Sequence, residues 1–396
     1  MRYIIAHVDS MQKYRFFDKL NRAIKAYSNE IIFVTIRLSV FLIGRILGRK
    51  VYLLKKKKNE FIDDNYENEE YYEVKSGLID KYSASRIYYD SKNLFHLLNE
   101  KYLFKIAYIF NGLGVIDKAL EDFVLELGIN SKYFELSNIE GKIFVDNFGT
   151  NAKSSLYNDI EQLSHYDINM SHYIEWRKNY LNKLKIDSSM QQEIIAKKIN
   201  SWYAIDLFGF WFLGVHQLSN KSIMEKIKTK LFLFRLSRKG LSNAEIIKPF
   251  ILIPLQVSDD SQLLFHSSFN NIDLINTGHK IAKEKSMKLV VKIHPAEENI
   301  KFIQQVYLLK DELGFTLTNK NIYQLIESCE LAVTINSSVG LLAKILEKEV
   351  IFIGNTFYEK LNSENLPTYV DCFLLNIDFW DNKYELREDE LIRLLN

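Results

Sequence analysis

The feature that most constrains this chain is an alternation of short apolar runs with amphipathic segments of helical period, and it occurs twice along the sequence. Runs such as Ile106-Ala107-Tyr108-Ile109-Phe110 and Phe250-Ile251-Leu252-Ile253-Pro254-Leu255 are too short for buried helices, and they lack the polar alternation of a half-solvated strand. They read as strands buried on both faces, which requires a mostly parallel sheet with helices on either side. With 396 residues the chain is too long for one compact core and suits two domains.

The first α/β stretch opens with an apolar run at Tyr3 to Ala6, a helix from Phe16 to Tyr27 and a strand from Glu30 to Val34. The chain then turns basic (Arg37, Arg45, Arg49, Lys50, Lys55 to Lys58) and next acidic from Glu60 to Glu73, a charge swing that predicts a solvated excursion. After strand Ile106–Phe110 come a helix over Asp117 to Leu127, Gly128 as its cap and a strand over Lys132 to Leu136. Residues 158–247 read as helical. The second α/β stretch runs from Phe250 to Ile353, with strands near 250–255, 288–293, 315–317, 331–335 and 350–353. The expected division is an acceptor-type domain at 1–157, a helical segment at 158–247, a nucleotide-binding domain at 248–370 and a tail at 371–396 that is helical and packs back.

Composition narrows the class. Hydrophobic residues at 47% and charged residues at 26% are globular values, and a net charge of +2 gives no general polycation argument for nucleic acid. Two cysteines, Cys329 and Cys372, build no disulfide framework and have no metal-ligand spacing. The N-terminus lacks the pattern of a signal peptide, and no run of about 18 apolar residues spans a bilayer. The cytoplasm is the expected location.

Three polar loops follow predicted strands of the second stretch, where ligands of open α/β sheets bind. Lys292-Ile293-His294-Pro295 places a histidine at a strand end, able either to donate to a phosphate oxygen or simply to cap the strand. Thr334-Ile335-Asn336-Ser337-Ser338-Val339-Gly340 sets Asn336, Ser337 and Ser338 at a helix start, an anion site or an ordinary N-cap, with Gly340 permitting close approach. In Pro254 to Gln262, Gln256 is able to read a base or ribose edge, and Asp260 to order the loop or hold an acceptor hydroxyl; a plain polar turn is the other reading. Convergence of all three on one crevice is harder to dismiss than any one of them.

At these residues the sequence resembles the bacterial capsule polysaccharide biosynthesis family, with its KpsS- and KpsC-type β-Kdo transferases. The resemblance rests on Pro254-Leu255-Gln256, Asp260-Ser261-Gln262, His266-Ser267, Lys292 with His294-Pro295, Thr334 to Ser338 with Gly340, and Ile353-Gly354-Asn355 with Tyr358. Gly149-Thr150-Asn151-Ala152 and Ser154-Ser155-Leu156 add an upstream segment. The resemblance implies a GT-B fold, in which two Rossmann-like domains face each other across a cleft. It also implies a CMP-activated sugar, typically CMP-Kdo, as donor substrate, with no metal or other cofactor. The CMP phosphate would be held by His294, Lys292, Asn336, Ser337 and Ser338, with Gln256 nearby, and Asn151 or Asp260 would lie toward the acceptor.

One segment departs from the family. Where it carries an acidic pair, the second acid being the nucleophile of a retaining mechanism, this chain reads Phe134-Glu135-Leu136-Ser137-Asn138-Ile139-Glu140. Glu135 keeps the first acid and Leu136 replaces the second. Three readings stay open: Glu135 as general base of a direct displacement, which we prefer; another carboxylate such as Asp9, Asp146 or Glu140; or binding without catalysis. The expected function is transfer of Kdo or another ulosonic acid to a lipid-linked or glycan acceptor, with a nucleotide-sugar epimerase or a non-catalytic capsule-assembly subunit as alternatives. An aromatic and basic run from Trp202 to Lys239, together with Arg37 to Lys58, suits peripheral contact with the inner membrane or, equally, a core helix followed by a solvated one.

Overall fold

The structure is a computed structural model that describes residues 1–57, 70–186, 202–219, 246–381 and 386–396. Lys58, the acidic run from Glu60 to Glu69 and the basic run from Lys221 to Lys239 lie outside the described residues. The chain divides into two compact units. Unit 1 comprises Met1–Asn158, Ile199–Asn220 and Leu374–Asn396; unit 2 comprises Asp159–Lys198 and Lys221–Phe373.

Unit 1 holds a six-stranded sheet of β1 (Arg2–His7), β2 (Asn29–Thr35), β3 (Val51–Leu53), β4 (Ile106–Phe110), β5 (Asn130–Leu136) and β6 (Ile143–Asp146), in the order β3-β2-β1-β4-β5-β6. All neighbours are parallel except β5 and β6. β2 and β4 are buried along their whole length, as strands covered on both faces must be. Alternation along β1 sends Ile4, Ala6 and Val8 into one core cluster and Ile5 into another, so each face of the sheet has its own core. Ser10 caps helix Met11–Ile24 through its hydroxyl, starting that helix before the expected Phe16. The C-terminal residues close the sheet edge: Leu375 pairs with Ile143 of β6, and Ile377, Phe379, Leu391 and Leu394 enter the core.

Over the described residues 37–57 and 70–73 the structure corrects the reading of a solvated excursion. Residues 38–53 form helix Leu38–Ile46 and strand β3 and bury Leu38, Val40 and Val51. Their charges are paired at the rim, Arg49 with Asp18 at 2.5 Å and Lys50 with Glu30 at 2.6 Å, which lets a basic stretch lie on a sheet. Glu73 is buried as well.

Unit 2 holds a five-stranded, all-parallel sheet of β7 (Phe250–Pro254), β8 (Lys288–Lys292), β9 (Thr316–Leu317), β10 (Leu331–Thr334) and β11 (Glu349–Phe352), in the order β11-β10-β7-β8-β9. In both units the first strand lies centrally and the chain winds outward on either side of it, the Rossmann-like order. The topological switch points therefore lie between β1 and β4 and between β7 and β10. The helical stretch that separates the two α/β stretches in sequence is shared: Met170–Ile186 belongs to unit 2, and Tyr203–Leu213 belongs to unit 1.

Candidate functional site

The three polar loops of unit 2 leave the sheet at one edge and at one level. Pro254 pairs with Lys292, and the register Ile251–Leu331, Leu252–Ala332 continues to set Thr334 beside Pro254. Two residues beyond this common rung stand His294, Gln256 and Asn336. Gln256 and Asn336 flank the switch point, and His294 follows the next strand, so the outer two loops are about 10 Å apart. That gap suits a phosphate with part of its nucleotide.

Hydrogen bonds bind the loops together. The Gln256 Nε2 donates to Asn336 Oδ1 at 3.0 Å, and the Asn336 backbone N–H donates to Gln256 Oε1 at 3.4 Å. Asn336 Nδ2 donates to the carbonyls of Gln262 at 2.9 Å and His266 at 3.4 Å, tying in helix Ser261–His266. Asn271 holds the Gln256 backbone from both sides, accepting its N–H at 3.1 Å and donating to its carbonyl at 2.8 Å. Both Gln256 and Asn336 are buried. Their amides are engaged within the protein, and the work this geometry assigns them is to fix the loops. Asp260 caps the short helix through Gln262 N–H at 2.8 Å, and burial raises its carboxyl pKa.

The groups facing outward are different ones. His294 is half-buried, and its Nδ1 accepts from Ala296 N–H at 3.1 Å. This fixes the neutral tautomer with the proton on Nε2, a directed donor. Burial, together with the Lys292 charge, holds the ring below the ordinary histidine range, so it is neutral at physiological pH. Lys292 reaches the Asn319 carbonyl at 3.4 Å. Ser337 caps helix Ser338–Ile345 by accepting from Val339 N–H at 3.1 Å. Gly340 is required where that helix meets the sheet, because a Cβ there would stand 2.4 Å from the Phe352 ring. Helix N–H groups, hydroxyls, a neutral imidazole and an ammonium, all at the strand ends of this one sheet, are groups able to bind an anion and offset charge as it develops.

One residue of this site went unread in the sequence. Glu297 is buried and accepts from Ser258 N–H at 2.7 Å, Ser258 Oγ at 3.0 Å and Asn299 N–H at 2.7 Å, linking the loop after β7 to the loop carrying His294. Its partner lies 39 residues away, and no local pattern announces it.

The remaining expected residues lie in unit 1. Glu135 is half-buried near the end of β5, opposite Phe144 of β6. Leu136 packs against the core cluster on one face of the sheet. Asn151 is buried with a left-handed backbone, φ 46°, next to Thr150, whose hydroxyl donates to the Asn111 carbonyl at 3.3 Å. Asp146, the other candidate carboxylate at this edge, is buried. Its Oδ1 accepts from Phe148 and Gly149 N–H, and its Oδ2 from Ser155 N–H and Oγ, so it organises the loop after β6. Glu140 is exposed in the turn between β5 and β6. Among the described residues, no three His, Cys, Asp or Glu side chains are grouped as a metal site, and no helix is long and apolar enough to cross a membrane.

Comparison with known proteins gives the following. A family model described as capsule polysaccharide biosynthesis protein matches residues 142–361, more than half of the chain and all three loops. The capsule polysaccharide export protein KpsS of Escherichia coli is 24% identical over 176 residues, which is 41% of this chain and 41% of that protein, so the match spans about two-fifths of the relative. Among solved structures, the β-Kdo 2,4 transferase of Thermosulfurimonas dismutans KpsC is 12% identical with a TM-score of 0.46, covering 92% of this chain and 88% of that one. The β-Kdo 2,7 transferase of the same KpsC is also 12% identical, with a TM-score of 0.42 and full coverage of both chains. The S. aureus MnaA–UDP co-structure is 11% identical with a TM-score of 0.34, covering 100% of this chain and 95% of that one.

Proposed function

This chain belongs to the capsule polysaccharide biosynthesis family, and from that premise we propose that it is a glycosyltransferase taking a CMP-activated ulosonic acid such as Kdo to a lipid-linked or glycan acceptor. The observation that carries the reading is the common rung of His294, Gln256 and Asn336, with the N-terminus of helix Ser338–Ile345 opening beside it. In the reaction, the bond from the anomeric carbon to the phosphate oxygen breaks and its electron pair leaves with CMP. The His294 Nε2–H, the Ser337 and Ser338 hydroxyls, the N–H groups of the first helical turn and the Lys292 charge offset that developing negative charge. Calorimetry tests the donor side. CMP is expected to bind one-to-one and more tightly than inorganic phosphate, and absence of binding by CMP, UMP and phosphate alike would sink the reading.

The same proposal includes peripheral contact with an anionic bilayer. Helices Leu38–Ile46 and Tyr203–Leu213 pack closely in unit 1, Gly209 leaving room for Leu38, whose Cβ would be 2.9 Å from a Cβ at position 209. Their outer faces expose Leu42, Ile46, Phe208, Trp211 and Phe212, the last two more than 70% exposed. Lys56 lies over the Phe210 ring, and a neighbouring groove is lined by Arg15, Arg22 and Arg49 beside Ile43 and Leu47. Large apolar side chains rimmed by cations suit headgroup depth over anionic lipid. The double variant Trp211→Ala, Phe212→Ala is expected to weaken co-sedimentation with phosphatidylglycerol vesicles by about tenfold or more, each ring being worth on the order of 1.5–3 kcal/mol when fully buried. A wild-type chain that stays in the supernatant removes the membrane from the proposal.

A further inference from the structure

A groove of about 330 Å³ opens in unit 1 between helices Met11–Ile24 and Leu38–Ile46. Tyr14, Arg15, Asp18 and Arg22, three and four residues apart, share the face of the first helix that forms one wall. Ile43 and Leu47 form the wall opposite, and Arg49 closes it. Gly44 lets the helices meet here, since a Cβ at that position would stand 2.3 Å from Val51 Cγ2 and 3.3 Å from the Tyr14 hydroxyl. Three guanidiniums thus face one carboxylate. Asp18 accepts from Arg49 Nε at 2.5 Å and stands 3.5 Å from Arg22 Nε, an arrangement that leaves the terminal nitrogens of both as donors. Among the described residues Arg15 has no carboxylate partner. A surplus of forked donors over carboxylates suits phosphate oxygens.

A second observation points the same way. Tyr14 is 1% exposed and packs edge-on to Phe33, and its hydroxyl has no hydrogen-bond partner. Burial and the Asp18 charge push its pKa up to about 12, so it stays a protonated donor. Unmatched buried hydroxyls are few in native proteins, and this one lies in the wall of a groove rich in cations. What completes it carries acceptor oxygens and negative charge. The place of the groove separates it from transfer chemistry. Asn21, next to Arg22, accepts from the N–H of Ile31 near the start of β2, so the arginine end lies toward the N-terminal ends of the strands. Ligands of open α/β sheets bind at the opposite ends. The groove also runs into exposed apolar surface, for Leu47, 51% exposed, belongs to both, and Ile46 beside it is 82% exposed. A free phosphate gains nothing from that neighbour, whereas a phosphate carrying acyl chains does.

We propose that this groove binds the phosphodiester headgroup of an anionic phospholipid. The phosphate oxygens accept from the terminal nitrogens of Arg15, Arg22 and Arg49 and from the Tyr14 hydroxyl, and the first chain carbons lie toward Ile43 and Leu47. The proposal rests on the membrane reading above, to which it adds a one-to-one headgroup site where no bond is made or broken. The exposed rings of helix Tyr203–Leu213 give depth in the bilayer, and the groove selects the lipid.

Calorimetry on the full chain tests it, with dihexanoyl phosphatidylglycerol below its micellar concentration as the probe. The lipid is expected to bind one-to-one, and glycerophosphate and inorganic phosphate about tenfold more weakly, having no chain carbons to bury. Tyr14→Phe deletes one buried oxygen that bonds nothing in the protein. It is expected to keep the wild-type melting temperature and to weaken the lipid about fivefold, the loss of one hydrogen bond. A general field of positive charge would not register that change. Arg15→Gln combined with Arg22→Gln is expected to weaken the lipid about tenfold or more. Lipid affinity unchanged in both variants, or no saturable binding by the wild-type chain, overturns the proposal. Phosphate binding as tight as the lipid also overturns it and identifies a site for soluble phosphate. Co-sedimentation with phosphatidylglycerol vesicles separates this proposal from the membrane reading. If Trp211→Ala, Phe212→Ala releases the chain from the vesicles while Tyr14→Phe and the arginine pair do not, the membrane reading stands and the headgroup site falls. If the wild-type chain stays in the supernatant yet binds dihexanoyl phosphatidylglycerol with the stated dependence on Tyr14 and the arginines, the bilayer contact falls and the groove stands as a site for a single lipid.

Discussion

His294→Ala is expected to lower turnover by about 10²- to 10³-fold, the cost of removing one directed donor from a developing oxyanion, while the chain keeps its fold. The two effects separate because of how the ring is held. Its Nδ1 accepts only from Ala296 N–H, and losing that bond at a half-buried loop costs about 1 kcal/mol, or about 2–4 °C in a unit of this size. In the proposed reaction its Nε2–H is the atom that meets the leaving phosphate. Burial and Lys292 hold the ring neutral, so the contribution of His294 is complete above its depressed pKa and is lost on the acid side, where a proton on Nδ1 would confront the Ala296 N–H. His294→Gln carries an amide N–H near the position of Nε2 and is expected to recover about tenfold over His294→Ala. Steady-state CMP release and thermal melting measured on the same preparations check both halves. Wild-type rates in His294→Ala remove this residue from the mechanism.

Reading the sequence succeeded where local chemistry and long-range structure agree. β4 and β7 are continuous apolar runs because both faces of each strand are covered. The loops after β7, β8 and β10 stand out because polar residues follow those runs at once. The reading failed where a partner distant in sequence changes what a residue can do. Arg49 and Lys50 suggested solvent, and β3 was missed between them and the lysines beyond, because their counter-charges Asp18 and Glu30 lie at least 20 residues earlier. β6 is a four-residue antiparallel edge with too few residues to show a period. Asp146 reads as a spare carboxylate until the loop N–H groups that fill it are seen. His7 reads as an interruption of an apolar run, and only the fold brings Asp117 to it across 110 residues.

Asn336→Leu is expected to destabilise unit 2 by on the order of 3–5 kcal/mol, lowering its melting temperature by about 10 °C, and to abolish CMP binding with it. Leucine nearly matches asparagine in volume, so the loss is not one of packing. Asn336 is 2% exposed, and its side chain bonds Gln256 Nε2 and the carbonyls of Gln262 and His266. Removing the amide takes a bond from each of them in a space that water does not reach, the His266 carbonyl keeping the Asn355 N–H at 3.0 Å, and a buried partner left unmatched costs more than an intact bond contributes. Ser337→Ala removes only a cap hydroxyl one residue away and should cost about 1 kcal/mol. A contrast that large between adjacent residues is diagnostic of a lock between loops, because simple proximity to a ligand would weigh on both alike. Thermal melts and calorimetry with CMP report the two consequences together. Should Asn336→Leu melt within about 2 °C of wild type, the rung that aligns His294, Gln256 and the helix start is not held by this network. In His294→Ala turnover is expected to fail on a sound fold, whereas in Asn336→Leu the fold of the site fails first, and that order distinguishes a residue that acts on the proposed leaving phosphate from one that keeps its neighbours in place.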